Sequence, residues 1–259
     1  MILTRYLYNL QNVKVSLFMS LMDRNIDEAL FWGYEIYHSG FYEDIIDYLV
    51  NIYETLYVTR KQIAEKIKER TEEWKNDNSK HYIIGEIIEN MIKYKYSICK
   101  FAKKMEKGIK CKEQKDDKKY KNIYILCKDH NKYYSYHTVQ TMNWKQMADL
   151  CKFKVRTELN SVCQEPTKLD YIKWAHDWQD YIIDTPSWIK RYERYNGKVN
   201  ENTFKLEFDD EDDFENFYEN YNLEPDEQKK EVQERCMGSE KTSQCDLKNL
   251  IIMYGGTIE

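Results

Sequence analysis

The stretch from Asn25 to Tyr57 carries two helical patterns in succession, and it restricts the fold more than any other part of the chain. Asn25 suits an N-cap, and Asp27 and Glu28 place negative charge in the first turn, where the helix dipole favours it. Ala29, Leu30, Phe31, Trp32, Tyr34, Ile36 and Tyr37 make the first helix apolar nearly all round, so it must be buried on more than one side. Ser39-Gly40 ends it, with Gly40 suited to the left-handed position after the last turn. A second helix starts near Tyr42, with Ile45, Ile46, Leu49, Ile52, Tyr53 and Leu56 on one stripe. Two such helices meeting at a tight corner need other helices to cover them.

The rest of the chain supplies those helices. Eight glycines and three prolines in 259 residues are too few for an all-β fold, which spends turn residues at every hairpin. The expected fold is mainly α, a compact helical bundle or stacked helical hairpins. Val13, Leu17, Phe18, Leu21 and Met22 mark a helix from about Asn12 to Met22. Residues 59–74 either continue the second core helix or start a new one. His81 to Met105 reads as a single helix with a wide isoleucine face, and Asn143 to Leu159 as another with Trp144, Met147, Leu150, Cys151 and Val155. Further helices are expected over Lys168–Asp184, from Pro186 to about Tyr195, and from about Leu223 to Gly238. The apolar tail Leu247–Tyr254 should dock on the body. Ile123 to Gln140 is β-branched and aromatic around a polar Asp129-His130-Asn131-Lys132 corner, which predicts a small β-hairpin insertion.

Two charge runs stand out. Lys100 to Lys121 holds ten lysines, among them Lys103, Lys104, Lys107, Lys110 and Lys112, diluted by Glu106, Glu113, Asp116 and Asp117. It divides the chain into a helical region 1–110, a basic linker or loop 111–122, and a helical region 123–259, as one domain or two packed halves. The second run, Asp209, Asp210, Glu211, Asp212 and Asp213, precedes an aromatic stripe of Phe214, Phe217, Tyr218 and Tyr221. Such a run reads as a solvated helix N-terminus or a patch for a basic partner, since it lacks the alternating spacing of a calcium loop. The net charge of -5 argues against general phosphate-backbone binding over the whole surface.

No local pattern brings a catalytic group together. There is no phosphate-binding glycine loop and no G-x-S-x-G, and His176 and Asp177 are neighbours that point about 100° apart on a helix. Cys127 and His130 have the gap of one zinc knuckle, and His137, Cys151 and Cys163 follow, but Cys151 and Cys163 fall at core positions and no second closely spaced pair is present. The seven cysteines are odd in number and irregularly spaced, with no leader peptide and no run of about 18 apolar residues. These features predict a soluble chain in a reducing compartment, with no cofactor, no metal and no membrane partner.

Four blocks carry a resemblance: E-A-L-F-W-G-Y-E-I-Y-H-S-G-F from Glu28, W-K-Q-M-A-D-L-C-K-F-K-V from Trp144, W-Q-D-Y-I-I-D-T-P-S-W-I-K-R-Y from Trp178 and L-E-P-D-E-Q-K-K-E-V-Q-E-R-C-M-G from Leu223. Together they resemble uncharacterised helical proteins of nucleocytoplasmic large DNA viruses, mimivirus-like or chlorovirus-like. The resemblance implies a viral origin, with residence in the host cytoplasm or the virion, and brings no activity or site residues. The abundance of Lys, Asn, Ile and Tyr agrees with an AT-rich genome. The first block alone is also similar to a helix of clamp-loader-like recombination ATPases, whose ATPase loop is absent here.

The expected function is that of a non-enzymatic structural or adaptor protein, binding another protein, viral or host, through helical surfaces. Exposed tyrosines and tryptophans would be its hot spots, and the acidic and lysine runs its docking patches. The alternative is a nucleic-acid accessory protein using the Lys100–Lys121 stretch with nearby aromatics.

Overall fold

In the computed structural model, residues 1–58, 60–115, 118–136, 150–163, 171–221, 225–238 and 243–258 are described. Six helices form the first part: α1 (Leu10–Met22), α2 (Ile26–His38), α3 (Tyr42–Leu56), α4 (Lys61–Asn76), α5 (Tyr82–Lys93) and α6 (Ile98–Met105). Helix α2 packs against α1, α3 and α5. The corner predicted from sequence is present: Asn25 Oδ1 accepts from the Glu28 amide at 3.3 Å, and Gly40 turns the chain at φ 93°. Gly33 lets α5 come close, since a Cβ there would lie 2.5 Å from Ile88 Cδ1.

Later elements are shorter. After β1 (Cys111–Glu113) come α7 (Asn160–Cys163), α8 (Tyr171–His176), α9 (Pro186–Tyr192), β2 (Lys198–Val199), β3 (Leu206–Glu207), α10 (Glu211–Tyr221), α11 (Lys230–Met237), α12 (Leu247–Met253) and β4 (Gly256–Ile258). The small antiparallel ladders are β2 with β3 and β1 with β4, the latter pairing Cys111 with Ile258. The N-terminal segment is the seam for the later elements. Trp174 Nε1 donates to the Leu7 carbonyl (2.9 Å), Trp188 Nε1 to that of Thr4 (3.1 Å), and the Leu3 amide to that of Tyr181 (3.2 Å). One cluster of buried side chains runs from Leu3 to Ile251.

Four expectations are corrected. Residues 123–136 form no strand, and 137–140 lie outside the described residues. Polar side chains of α5 satisfy that segment in place of a ladder: Asn90 exchanges two hydrogen bonds with the Ile125 backbone, both 2.8 Å, and Glu86 accepts from the Cys127 amide at 2.6 Å. The 81–105 helix is broken at 94–97, where Ser97 N donates to Leu56 O (2.7 Å) and Val58 N to Lys95 O (3.1 Å). Ser97 then caps α6 through the Lys100 amide at 3.0 Å. Residues 151–157 are in neither helix nor strand, with Cys151, Val155, Thr157 and Leu159 buried, and 143–149 of the expected helix lie outside the described residues. A gap of four residues fits a helical face and an alternating strand equally, and that ambiguity misled the helical reading. Finally, Trp32, Trp74, Trp174, Trp178 and Trp188 are fully buried, so these five are core anchors and not surface hot spots.

Burial also marks the tyrosines. Loss of solvation lifts the Tyr37 phenol to about 12 and those of Tyr34, Tyr57, Tyr94 and Tyr133 further. The fold therefore favours their protonated form, and that stability is complete below the unfolded value of about 10. It is lost as pH rises from there through the folded values. An absorbance titration should show these phenolates appearing together with loss of helical dichroism. Full ionisation near pH 10 with the helices intact would contradict the packing.

Candidate interaction surfaces

The acidic run begins at the end of a hairpin and opens α10. Asp210 Oδ1 accepts from the Asp213 amide at 2.8 Å and so closes the first turn. Asp209 pairs with Lys198 Nζ at 2.9 Å, and Asp213 Oδ2 accepts from Asn196 Nδ2 at 2.8 Å. Glu211 and Asp212 are exposed. Aromatic side chains accompany these carboxylates. Phe214 is 41% exposed, and its ring meets that of Phe208 at 5.6 Å. Phe204, between β2 and β3, is 69% exposed with φ 55°, a left-handed conformation that costs energy for a bulky side chain. A shallow groove of about 480 Å³ runs along Leu206, Phe208, Asp210, Glu211 and Phe214.

The lysines divide into two sets. Lys103 and Lys104 stand on the exposed side of α6, and Lys107, Lys110 and Lys112 are exposed in the turn and strand beyond it. Lys104 Nζ lies 3.4 Å from Asn51 Oδ1. The stretch 111–122 is more than a linker, because β1 pairs with β4 and the Gln114 amide donates to Gly255 O at 2.8 Å. Gly255, at φ 84°, turns the chain from α12 into β4.

This pairing builds a second cavity, of about 370 Å³, on residues from four separate segments. Lys115 and Lys118 come from the basic stretch; Arg24, Lys95, Tyr96 and Tyr254 join them from elsewhere, beside Tyr120. The Arg24 guanidinium donates to the carbonyls of Ile92 and Tyr94 and lies 5.1 Å from the Tyr96 ring centre and 4.8 Å from that of Tyr120. Tyr254 donates to Asp23 at 2.8 Å and meets Tyr96 edge-on at 6.5 Å. Burial, then the bond to Asp23, pushes the Tyr254 phenol up, so it stays neutral. Lys103, Lys104, Lys107, Lys110 and Lys112 are not among the lining residues. Sequence reading missed Arg24, Lys95 and Tyr254 because no local pattern joins positions so far apart. Phe204 was missed because nothing in a sequence marks a phenylalanine as exposed.

Of the zinc candidates, His137 and the Cys163 side chain lie outside the described residues. His130 stacks on Tyr82 with ring centres 3.9 Å apart, Cys127 Sγ lies 3.0 Å from Asp129 O, and Cys151 lies with its sulfur 3.4 Å from that of Cys236. Among the described residues, no three His, Cys, Asp or Glu side chains are placed to hold a metal ion. His176 faces Asp226 at 3.6 Å on the surface. Also among the described residues, no helix is long and apolar enough to cross a membrane. Comparison with family models, curated proteins and solved structures finds no match.

Proposed function

We infer that the chain is a non-enzymatic adaptor or structural protein that docks a basic partner protein on the face formed by the β2–β3 hairpin and the start of α10. The observation behind this reading is Phe214, exposed directly after five consecutive carboxylates, with Phe204 also exposed in the hairpin that leads into them. Exposed aromatic side chains in a charged rim supply the apolar centre and the electrostatic steering that protein interfaces use. The partner presents lysines or arginines around an apolar side chain. The proposed partner is a viral or host protein, a reading supported by the sequence resemblance to proteins of large DNA viruses.

The test uses immobilised full-length protein, cell extract, and elution with rising salt. Wild type should hold a defined set of basic proteins at low salt and release them as screening grows. Phe204→Ala with Phe214→Ala should remove that set, and so should Asp209→Asn with Asp212→Asn. Retention of the same set by both variants would refute the reading.

A further inference from the structure

The cavity beside β1 shares no lining residue with the groove of the acidic face. Among the described residues its lining has four cations, Arg24, Lys95, Lys115 and Lys118, and one carboxylate, Glu113. That carboxylate is already engaged, accepting from Ser97 Oγ at 2.6 Å and the Cys99 amide at 2.9 Å. The whole chain is negative, at -5, so the described lining has the opposite sign to the molecule that contains it. A concave basic site concentrates field and anions where a flat lysine surface would not. Asp116 and Asp117, between Lys115 and Lys118 in sequence, lie outside the described residues.

Charge alone would suit any anion, but the other lining groups are more selective. Tyr96, Tyr120 and Tyr254 form an aromatic wall, with Tyr96 and Tyr120 both held against the Arg24 guanidinium. Arg24 is itself fixed by two backbone carbonyls, so the wall is set in place before any ligand arrives. A volume of about 370 Å³ is at the small end of ligand sites. A ligand that uses both halves of such a site has a phosphate and a flat ring.

We propose that this cavity seats one nucleotide unit, its phosphate against Lys95, Lys115 and Lys118 and its base against the tyrosine wall. Single-stranded nucleic acid and a free nucleotide share that chemistry. An acidic peptide would satisfy the lysines and leave the rings unused. The site does not depend on the acidic face, and either could fail without the other.

Fluorescence polarisation with a labelled oligonucleotide of about ten nucleotides tests it, with unlabelled AMP and oligoglutamate as competitors. Wild type should bind at low salt. Lys95→Glu with Lys118→Glu should weaken binding tenfold or more and reduce the salt slope by about one per lysine, and Tyr120→Leu should weaken it about tenfold. The control pair Lys103→Glu with Lys107→Glu makes the same charge change outside the cavity and should have a much smaller effect. Helical dichroism and melting of each variant separate lost binding from lost folding. Competition by AMP assigns the site to free nucleotides; binding of the strand without such competition assigns it to single strands. No binding of either, equal loss in the control pair, or equal competition by oligoglutamate would overturn the proposal.

Discussion

Trp32→Ala is expected to lower the stability of the folded chain by about 3–5 kcal/mol, read as a shift in the denaturant midpoint. Trp32 is 0% exposed and sits where α2 meets both the N-terminal segment and the 151–157 strap. Its ring meets Tyr8 at 5.1 Å and Phe31 at 4.8 Å, both edge-on, and Phe153 at 6.5 Å. Removing it leaves a large cavity among rings that cannot collapse together. It also removes the donor to Glu28 Oε1, 3.3 Å from Trp32 Nε1. Glu28 in turn holds Arg156 by two hydrogen bonds, at 2.8 and 3.0 Å. The damage therefore spreads from α2 to the strap. A domain is stable by only about 5–15 kcal/mol, so this loss approaches the whole margin. Trp32→Phe keeps most of the volume and should lose less. A Trp32→Ala protein with unchanged stability would mean that this corner is not the centre of the core.

The second large effect is expected at Glu35. This carboxylate is 0% exposed and accepts from Arg5 Nε at 2.9 Å and from the Tyr6 amide at 3.2 Å. Nearby, Arg191 donates to the Arg5 carbonyl at 3.4 Å, with its guanidinium 4.3 Å over the Trp188 ring. Loss of solvation, with Arg5 adding a like charge, pushes Arg191 down to about 10. The Glu35 carboxylate acts against that shift. Glu35→Ala thus leaves buried positive charge without its partner and should cost about 3–5 kcal/mol. Glu35→Gln keeps the shape and loses the charge; a midpoint close to that of Glu35→Ala would assign the loss to electrostatics. Wild-type stability in Glu35→Gln would show that the ion pair contributes nothing.

How much of this was legible in the sequence depends on the range of the interaction. The helix α2 cap at Asn25, the stop at Gly40 and the acidic opening of α10 are all local, and each was readable. Where one pattern served two periods, as at Cys151 and Val155, the reading went to the wrong one. The stretch 123–136 has the composition of strands, yet Glu86 and Asn90 of α5 took its backbone hydrogen bonds first. Propensity lost there to a buried tertiary partner.

The candidate surfaces divide the same way. The acidic run and the lysine run were visible because charge is a property of single residues. Whether they formed sites was not, because a site is a matter of which distant side chains converge. Lys103 to Lys112 drew attention by density, but the cavity is built by Arg24, Lys95, Lys115, Lys118 and three tyrosines that the β1–β4 pairing and the 94–97 break bring together. Caps, stripes and stops act within a few residues, so a mainly helical chain with a tryptophan-centred corner follows from local patterns. Where the short strands pair, how Trp174 and Trp188 lock onto the N-terminal segment, and which charges face a cavity emerge with the packed fold. Those outcomes depend on contacts between residues more than a hundred positions apart, and no local pattern encodes which of many compatible partners is closest.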